Sequence, residues 1–386
     1  MNNQDCLPLV LALADPSATL ERVGGKGASL ARLAAAGLPV PTGFDVTTAA
    51  YRRFVTENGL QDKILEAVSA ATTDDPTTLE AASRTIEGLF AGSPIPADVA
   101  DAIRQAYRQL GGGDRPVAVR SSATAEDLPE LSFAGQQETY LNQRGDTMVL
   151  EAVKRCWASL WTARAIGYRA HHGIAPTDVS LAVVVQELVP ADAAGILFTA
   201  NPLTGARDQV VIDAAWGLGE AIVGGQVTPD TVVAAKATGA ILSQEIAAKD
   251  LMTVRTAEGT REEPVPADER TRAVISPRQV AELVRLGARI EAVYGQPIDV
   301  EWARENDRFF ILQARPITAL PEPPAQSPEA ATAEWAVPNP KGHYMRGSVL
   351  ELLPDPLSPL FATLGLPAWN RAMATLMGDV VLEIPE

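Results

Sequence analysis

Four side chains able to hold a metal and a polyanion together stand at alternate positions in two neighbouring stretches, Ile298-Asp-Val-Glu-Trp302 and Phe310-Ile-Leu-Gln-Ala-Arg-Pro316. Strand side chains alternate faces with a period of two, so Asp299 and Glu301 share a face, as do Gln313 and Arg315. Glu305-Asn-Asp-Arg308 has the composition of a tight turn and predicts a hairpin. With Glu301 opposite Gln313, Asp299 falls opposite Arg315 and the four side chains converge. A hard cation takes oxygen ligands, which Glu301 and Gln313 supply, and a polyphosphate takes the fork of Arg315. The same residues also suit a surface hairpin closed by cross-strand ion pairs.

Further groups point to anion chemistry. Gly24-Gly-Lys-Gly27 places Lys26 in a glycine loop opening a helix, where free N–H groups and the helix dipole favour an anion. It is not a Walker A loop, because position 20 is Leu where that motif needs Gly; a tight turn with a solvated lysine is the plain alternative. Val117-Ala-Val-Arg120 reads as a strand delivering Arg120 to a hydroxyl-rich loop, Ser121-Ser-Ala-Thr-Ala-Glu-Asp127, in which Ser121, Ser122 and Thr124 are potential donors to a polyphosphate. Arg120 serves equally well as an ion-pair partner for Glu126 or Asp127. Val185-Gln-Glu-Leu-Val189 ends a strand before Pro190, offering an apolar slot and exposed backbone to a purine, or simply a core strand leaving its sheet. Trp216-Gly-Leu-Gly-Glu220 is glycine-rich with one carboxylate, a candidate ribose contact. His171, His172 and His343 receive no catalytic role: the first two lie near a helix end before Gly173, the third far downstream.

The elements that must position these groups are legible in outline. A strand over 7–14 precedes an Ala/Leu-rich helix from the glycine loop to Gly37. Helices follow over 47–57, 60–71, 76–91 and 97–110. Strand signals then alternate with one long helix over 146–172, carrying Trp157 and Trp161 on one buried face. Strands are predicted over 181–189, 195–199, 209–214 and 231–236, the last turning at Thr238-Gly239 into a partner. Ser276-Pro-Arg-Gln279 is a capping box for a helix burying Val280, Leu283, Val284, Ile290 and Val293 and ending at Gly295. This is an α+β chain: a mainly helical part with the Lys26 loop over 1–110, the remaining lobes over 111–318, a Pro/Ala-rich linker over 319–334, and part of a further domain over 335–386.

Net charge is −16, so no basic field exists for nucleic acid, and any phosphate site must be locally basic against the global field. The 386 residues allow two or three domains, and 46% hydrophobic with 21% charged residues is a globular composition. Cys6 and Cys156 fit no disulfide framework or metal spacing, which implies reduced thiols in a cytoplasm. No apolar run reaches the roughly 20 residues of a membrane helix, and Met-Asn-Asn-Gln-Asp is unlike a signal peptide.

Taken in order, Val23-Gly-Gly-Lys-Gly-Ala-Ser-Leu30, Val119-Arg-Ser-Ser-Ala-Thr-Ala-Glu-Asp127, Ser132-Phe-Ala-Gly-Gln-Gln-Glu-Thr139, Gln186-Glu-Leu-Val189, Ile298-Asp-Val-Glu-Trp302 and Gln313-Ala-Arg-Pro-Ile317 resemble the nucleotide-binding domain of the pyruvate phosphate dikinase and phosphoenolpyruvate synthase group. The resemblance implies an ATP-grasp fold, two α+β lobes clamping Mg-ATP. It implies that Lys26, Arg120 and Arg315 hold phosphates, that the Thr124 loop covers them, and that the backbone of Glu187 and Val189 reads adenine. It also implies that Glu301 and Gln313 hold magnesium. The stretch from Trp335 to Phe361 is similar to the start of the antibiotic-binding domain of rifampin phosphotransferases, which implies a rifamycin-like acceptor; the alternatives are a phosphoenolpyruvate synthase piece acting on pyruvate and a non-catalytic ATP-binding partner module. In this family a mobile histidine domain carries the β-phosphoryl group of ATP to the acceptor, leaving AMP and phosphate. That histidine loop does not occur before Glu386, so the chain is expected to bind Mg-ATP without completing a transfer unless the histidine domain is supplied in cis or trans.

Overall fold

The structure, a computed structural model, describes residues 7–124, 138–177, 179–257, 259–318 and 320–321. The chain divides into two units, Met1–Ala325 and Gln326–Glu386, and all described residues belong to the first. The proposed linker apart from Leu320 and Pro321, the further domain, Cys6, His343 and the 125–137 segment therefore lie outside the described residues.

In chain order the elements are β1 (Val10–Ala12), α1 (Leu20–Ala35), β2 (Gly43–Val46), α2 (Thr48–Glu57), α3 (Gln61–Ser69), α4 (Pro76–Gly92), α5 (Ala97–Gln109), β3 (Val117–Ala123), β4 (Thr139–Gln143), α6 (Gly145–Ser159) and α7 (Ala163–His171). They continue as β5 (Leu181–Glu187), β6 (Ala193–Phe198), β7 (Gln209–Trp216), α8 (Glu220–Val223), β8 (Asp230–Ala235), β9 (Ile241–Glu245), β10 (Leu251–Arg255), β11 (Thr260–Pro264), α9 (Pro277–Tyr294), β12 (Ile298–Glu305) and β13 (Arg308–Pro316).

Two antiparallel sheets organise the first unit. One, in the order β1-β2-β5-β3-β4, draws strands from both sides of residue 110; the other runs β13-β12-β6-β7-β8-β9. The first sheet buries Phe44, Val46, Val117, Val119, Val183 and Val185 against helices α2 to α7, around Phe54, Phe90, Tyr107 and Trp157. Its other face meets α1, where Leu30 packs with Leu13 and Val184. The second sheet buries Leu197, Ile212, Val232, Val300 and Trp302 against α9 through Val280, Leu283, Val284 and Ile290.

Helix ends follow the sequence closely. Ser276 and Gln279 form the reciprocal cap of α9, and Gly295 ends it in the left-handed conformation. Three expectations are corrected. The helix over 146–172 is two helices, because the Thr162 hydroxyl accepts from Ala165 N–H and starts α7; Trp157 and Trp161 are both buried, with Trp161 in the break. The loop after Arg120 begins later than predicted, since Ser121 and Ser122 continue β3 in register with Val183 and Ala182. The strand over 7–14 contracts to three residues, and β2, β10 and β11 had no clear signal: β2 is short and buried, and β11 is almost wholly polar.

Candidate functional site

The β12–β13 hairpin forms with the predicted register: Glu301 faces Gln313 and Asp299 faces Arg315, with Asn306-Asp307 as the two-residue turn. Arg315 Nε donates to Asp299 Oδ2 at 2.8 Å. Burial pushes the Asp299 carboxyl above the ordinary carboxylate range, the neighbouring Glu301 adding to the rise and Arg315 opposing it. The hairpin is not a free surface ribbon, because β12 also pairs with β6, Glu301 opposite Ile196. Registers across the sheet put Gln313, Glu301, Ile196, Asp213, Thr231 and Glu245 in one row on the face away from α9. Asp213, unremarked in the sequence, accepts from Thr231 Oγ1 at 2.7 Å, and burial raises its carboxyl.

The ladder contains one irregularity that alternation alone does not reveal. Glu301 pairs with Gln313, but Trp302 pairs with Ile311, so Leu312 has no opposite residue. The extra residue reverses the facing of β13. Phe309 and Ile311 point into the α9 core, whereas Gln313 and Arg315, also odd-numbered, stand on the opposite face with Glu301.

Lys26 sits where a broken helix restarts. Gly24 has φ 68° and ψ −179°, which interrupts α1 before the lysine. A side chain at Gly24 would lie 2.2 Å from Ser122 O, so this close crossing requires glycine for space as well as conformation. Ser122 Oγ, expected to serve a polyphosphate, instead secures this junction: it donates to Val23 O at 2.7 Å and accepts from Gly27 N–H at 3.2 Å. Ser121 Oγ is likewise committed, accepting from Glu138 N–H at 3.2 Å.

Arg120 rises from β3, 7% exposed, and its Nη1 donates to Leu312 O at 3.0 Å. Three residues after Lys26, Ser29 Oγ donates to Ala314 O at 2.6 Å. Lys26 and Arg120 are thus tied, through α1 and β3, to the segment of β13 that carries Gln313 and Arg315. Thr124 lies at the far end of the β3–β5 pair, its hydroxyl 3.4 Å from Ser180 O, at the edge of the described residues.

Glu187 ends β5 at the opposite end of that strand pair. Its carboxylate is held by Arg115 and by Thr42 Oγ1, the latter at 2.8 Å, and its N–H donates to Thr42 O at 2.8 Å. Val189 is buried, and its carbonyl accepts from Ala191 N–H at 2.8 Å. Glu220 opens the short α8 beside β11, accepting from Thr260 Oγ1 at 3.1 Å.

Among the described residues, four of the ten buried polar side-chain atoms without hydrogen-bond partners lie on the α1 side of the first sheet: both Asp45 carboxylate oxygens, Arg120 Nε and Gln186 Nε2. Asp45 and Arg120 share one row through Val184. Asp45 is fully buried, a side chain at Gly27 would meet its Oδ1 at 2.8 Å, and burial holds its carboxyl well above the usual range. Among the described residues no group of three His, Cys, Asp or Glu side chains could hold a metal, and no helix is long and apolar enough to cross a membrane. A Glu–Gln pair still fits magnesium, which binds through few protein oxygens and completes its shell with water and phosphate. Cys156 is buried against Val119 O, and burial pushes its thiol up. His172 stacks on Tyr168 at an exposed helix end.

The family model described as pyruvate phosphate dikinase, AMP/ATP-binding domain, matches residues 20–334. The chain is 49% identical over 302 residues to a probable phosphoenolpyruvate synthase of Methanocaldococcus jannaschii, covering 77% of this chain and 25% of that protein. It is 41% identical to the phosphoenolpyruvate synthase of Pyrococcus furiosus, covering 81% of this chain and 44% of that one. It is 43% identical to a rifampicin phosphotransferase of Streptomyces sviceus, covering 92% of this chain and 39% of that one. The chain spans between a quarter and less than half the length of these relatives. The architecture is α+β, as expected, with two large antiparallel sheets, a two-stranded ribbon β10-β11 and flanking helices. On the match over residues 20–334, this chain belongs to the pyruvate phosphate dikinase AMP/ATP-binding domain family.

Proposed function

We propose that this chain is the Mg-ATP-binding unit of a dikinase-type phosphotransferase. The observation that carries the reading is the convergence on β13, where Arg120 and the Lys26 helix reach the carbonyls flanking Gln313, opposite Glu301 and beside Arg315. On this reading the nucleotide runs along the β3–β5 pair. Thr124, Arg120 and Lys26 serve the phosphates, and the segment from Glu187 to Val189 serves the base. With Glu187 N–H and Val189 C=O already engaged, the Glu187 carbonyl and Val189 N–H remain to meet the amino donor and ring acceptor of adenine. Glu301 and Gln313 would hold magnesium, which neutralises polyphosphate charge when bound. Lys26, Arg120 and Arg315 orient the phosphates and stabilise developing charge, the main work a protein does in phosphoryl transfer.

The acceptor follows from what lies beyond this unit. On this reading the linker over 319–334 leads into an acceptor-binding segment over 335–386, and a histidine domain supplies the phosphoryl carrier. A rifamycin-like acceptor is favoured because the rifampicin phosphotransferase relative matches 92% of this chain, against 77% and 81% for the two synthases. Pyruvate is the second reading, favoured by the 49% identity to a probable phosphoenolpyruvate synthase.

Calorimetric titration with ATP, with and without magnesium, tests the site. Magnesium-dependent binding by the wild type that is lost in Glu301→Ala is expected; no binding, or binding indifferent to both, overturns the reading. AMP formation with a histidine domain supplied, with a rifamycin or with pyruvate, separates the two acceptors.

A further inference from the structure

The β-bulge of β13 and the arginine of β3 meet at one atom. Leu312 is the residue without an opposite in the β12–β13 ladder, and its carbonyl accepts from Arg120 Nη1 at 3.0 Å. A bulge re-aims the backbone groups of its extra residue, freeing a carbonyl that regular pairing would direct elsewhere. The neighbouring edge of β13 is also claimed by α1 and the segment after it: Ile311 N–H donates to Pro39 O at 2.9 Å, and Ala314 O accepts from Ser29 Oγ. The guanidinium is therefore gripped at one end. Its Nε is buried without a partner in the same side chain.

We infer that Leu312 is a positioning residue: its main-chain carbonyl fixes the plane of the Arg120 guanidinium, so that the arginine meets an anionic ligand already desolvated and oriented. An arginine pre-set in this way loses less rotamer freedom on binding than one that must be ordered by the phosphate itself. This rests on the reading of Arg120 as a phosphate contact. The competing role for the bulge is purely structural, reversing the facing of β13 so that Ile311 enters the core while Gln313 faces Glu301.

Deleting Leu312 separates the two roles, because it leaves Glu301 opposite Gln313, Trp302 opposite Ile311, and both facings unchanged. The experiment is a cycle of wild type, Leu312 deletion, Arg120→Lys and the double variant, each titrated with Mg-ATP and with adenosine. Positioning predicts that the deletion weakens Mg-ATP binding at least about tenfold, leaves adenosine binding unchanged, and adds nothing in the Arg120→Lys background. Mg-ATP affinity within about twofold of wild type, a parallel loss of adenosine binding, or an undiminished loss in the Arg120→Lys background each overturns the proposal. Should the deletion not fold, nitrogen-15 arginine NMR on the wild type decides. Separate, slowly exchanging Nη signals that vanish in Arg120→Lys support the tie, and a single averaged signal overturns it. A wild type that shows the tie but binds no Mg-ATP overturns the nucleotide reading instead, and the positioning role with it.

Discussion

The two sheets hold the candidate site by opposite strategies. The first is covered on both faces, by helices α2 to α7 and by α1, and its polar side chains are desolvated: Arg120, Asp45 and Gln186 are buried with atoms lacking partners. The second buries one face on α9 and leaves the other as a partly exposed row from Gln313 to Glu245. The buried sheet thus offers one guanidinium, Arg120, in a dry setting, where a charge acts strongly. The second sheet presents its oxygen groups in a less deeply covered row, with Glu301 partly exposed, although burial still raises the Asp213 and Asp299 carboxyls. The proposed phosphate contact of Arg120 would gain from the first environment, and the proposed magnesium ligand Glu301 from its partial exposure in the second, because magnesium gives up its water reluctantly.

Breaking either side sharpens the contrast. The largest effect is expected from Glu301→Gln, which removes one carboxylate of the half-open side. Magnesium-dependent ATP affinity falls by about 100-fold or more with no change in melting temperature, as paired calorimetry and thermal denaturation would register. Gly24→Ala attacks the buried side, forcing a Cβ to within 2.2 Å of Ser122 O at a positive φ. It should destabilise the protein by roughly 2–4 kcal/mol in urea unfolding and abolish binding together with stability. Ser122→Ala strips the junction of its hydroxyl, leaving Val23 O and Gly27 N–H unpaired, with a cost of about 1–3 kcal/mol by the same measurement.

Asp45→Asn tests the desolvated sheet through pH. The folded carboxyl is raised by burial, so the folded chain retains a proton that the unfolded chain has released. Stability is fully present below the unfolded value of about 4 and is lost as pH climbs towards the folded one. Asparagine has no proton to lose, so the variant should melt at a higher temperature than wild type at pH 8 and converge with it at acid pH. Equal melting temperatures at pH 8 would show that Asp45 is ionised at no cost. The smallest effect is expected from Arg53→Ala, which removes exposed ion pairs with Glu57 and Asp98 far from β13, and should alter stability by at most about 0.5 kcal/mol.

Local chemistry made much of this protein readable. The capping box at Ser276, the Asn306-Asp307 turn and the glycine interruption before Lys26 are encoded within a few residues, but the turn alone would set Glu301 opposite Leu312, and only the bulge brings Gln313 there. What stayed hidden depends on residues far apart in sequence. Ser122 reads as a phosphate donor until α1 crosses it, 95 residues away from Gly27, and takes both of its hydrogen-bonding functions. Arg120 has two acidic neighbours in sequence, yet its guanidinium reaches a carbonyl 192 residues on. Asp45 looks like an ordinary polar residue in a short apolar stretch, and only the packing of α1 on β2 buries it.

The sequence by itself determined which groups are present and how each is placed along its own strand or helix, because backbone dihedral preferences and side-chain alternation act over one or two turns. Tertiary structure alone decided which of those groups are desolvated and which share a face across the two sheets. Burial and cross-sheet register depend on surfaces brought together from distant parts of the chain, and a one-residue bulge at Leu312, with no local signature, was enough to set the facing of the final strand.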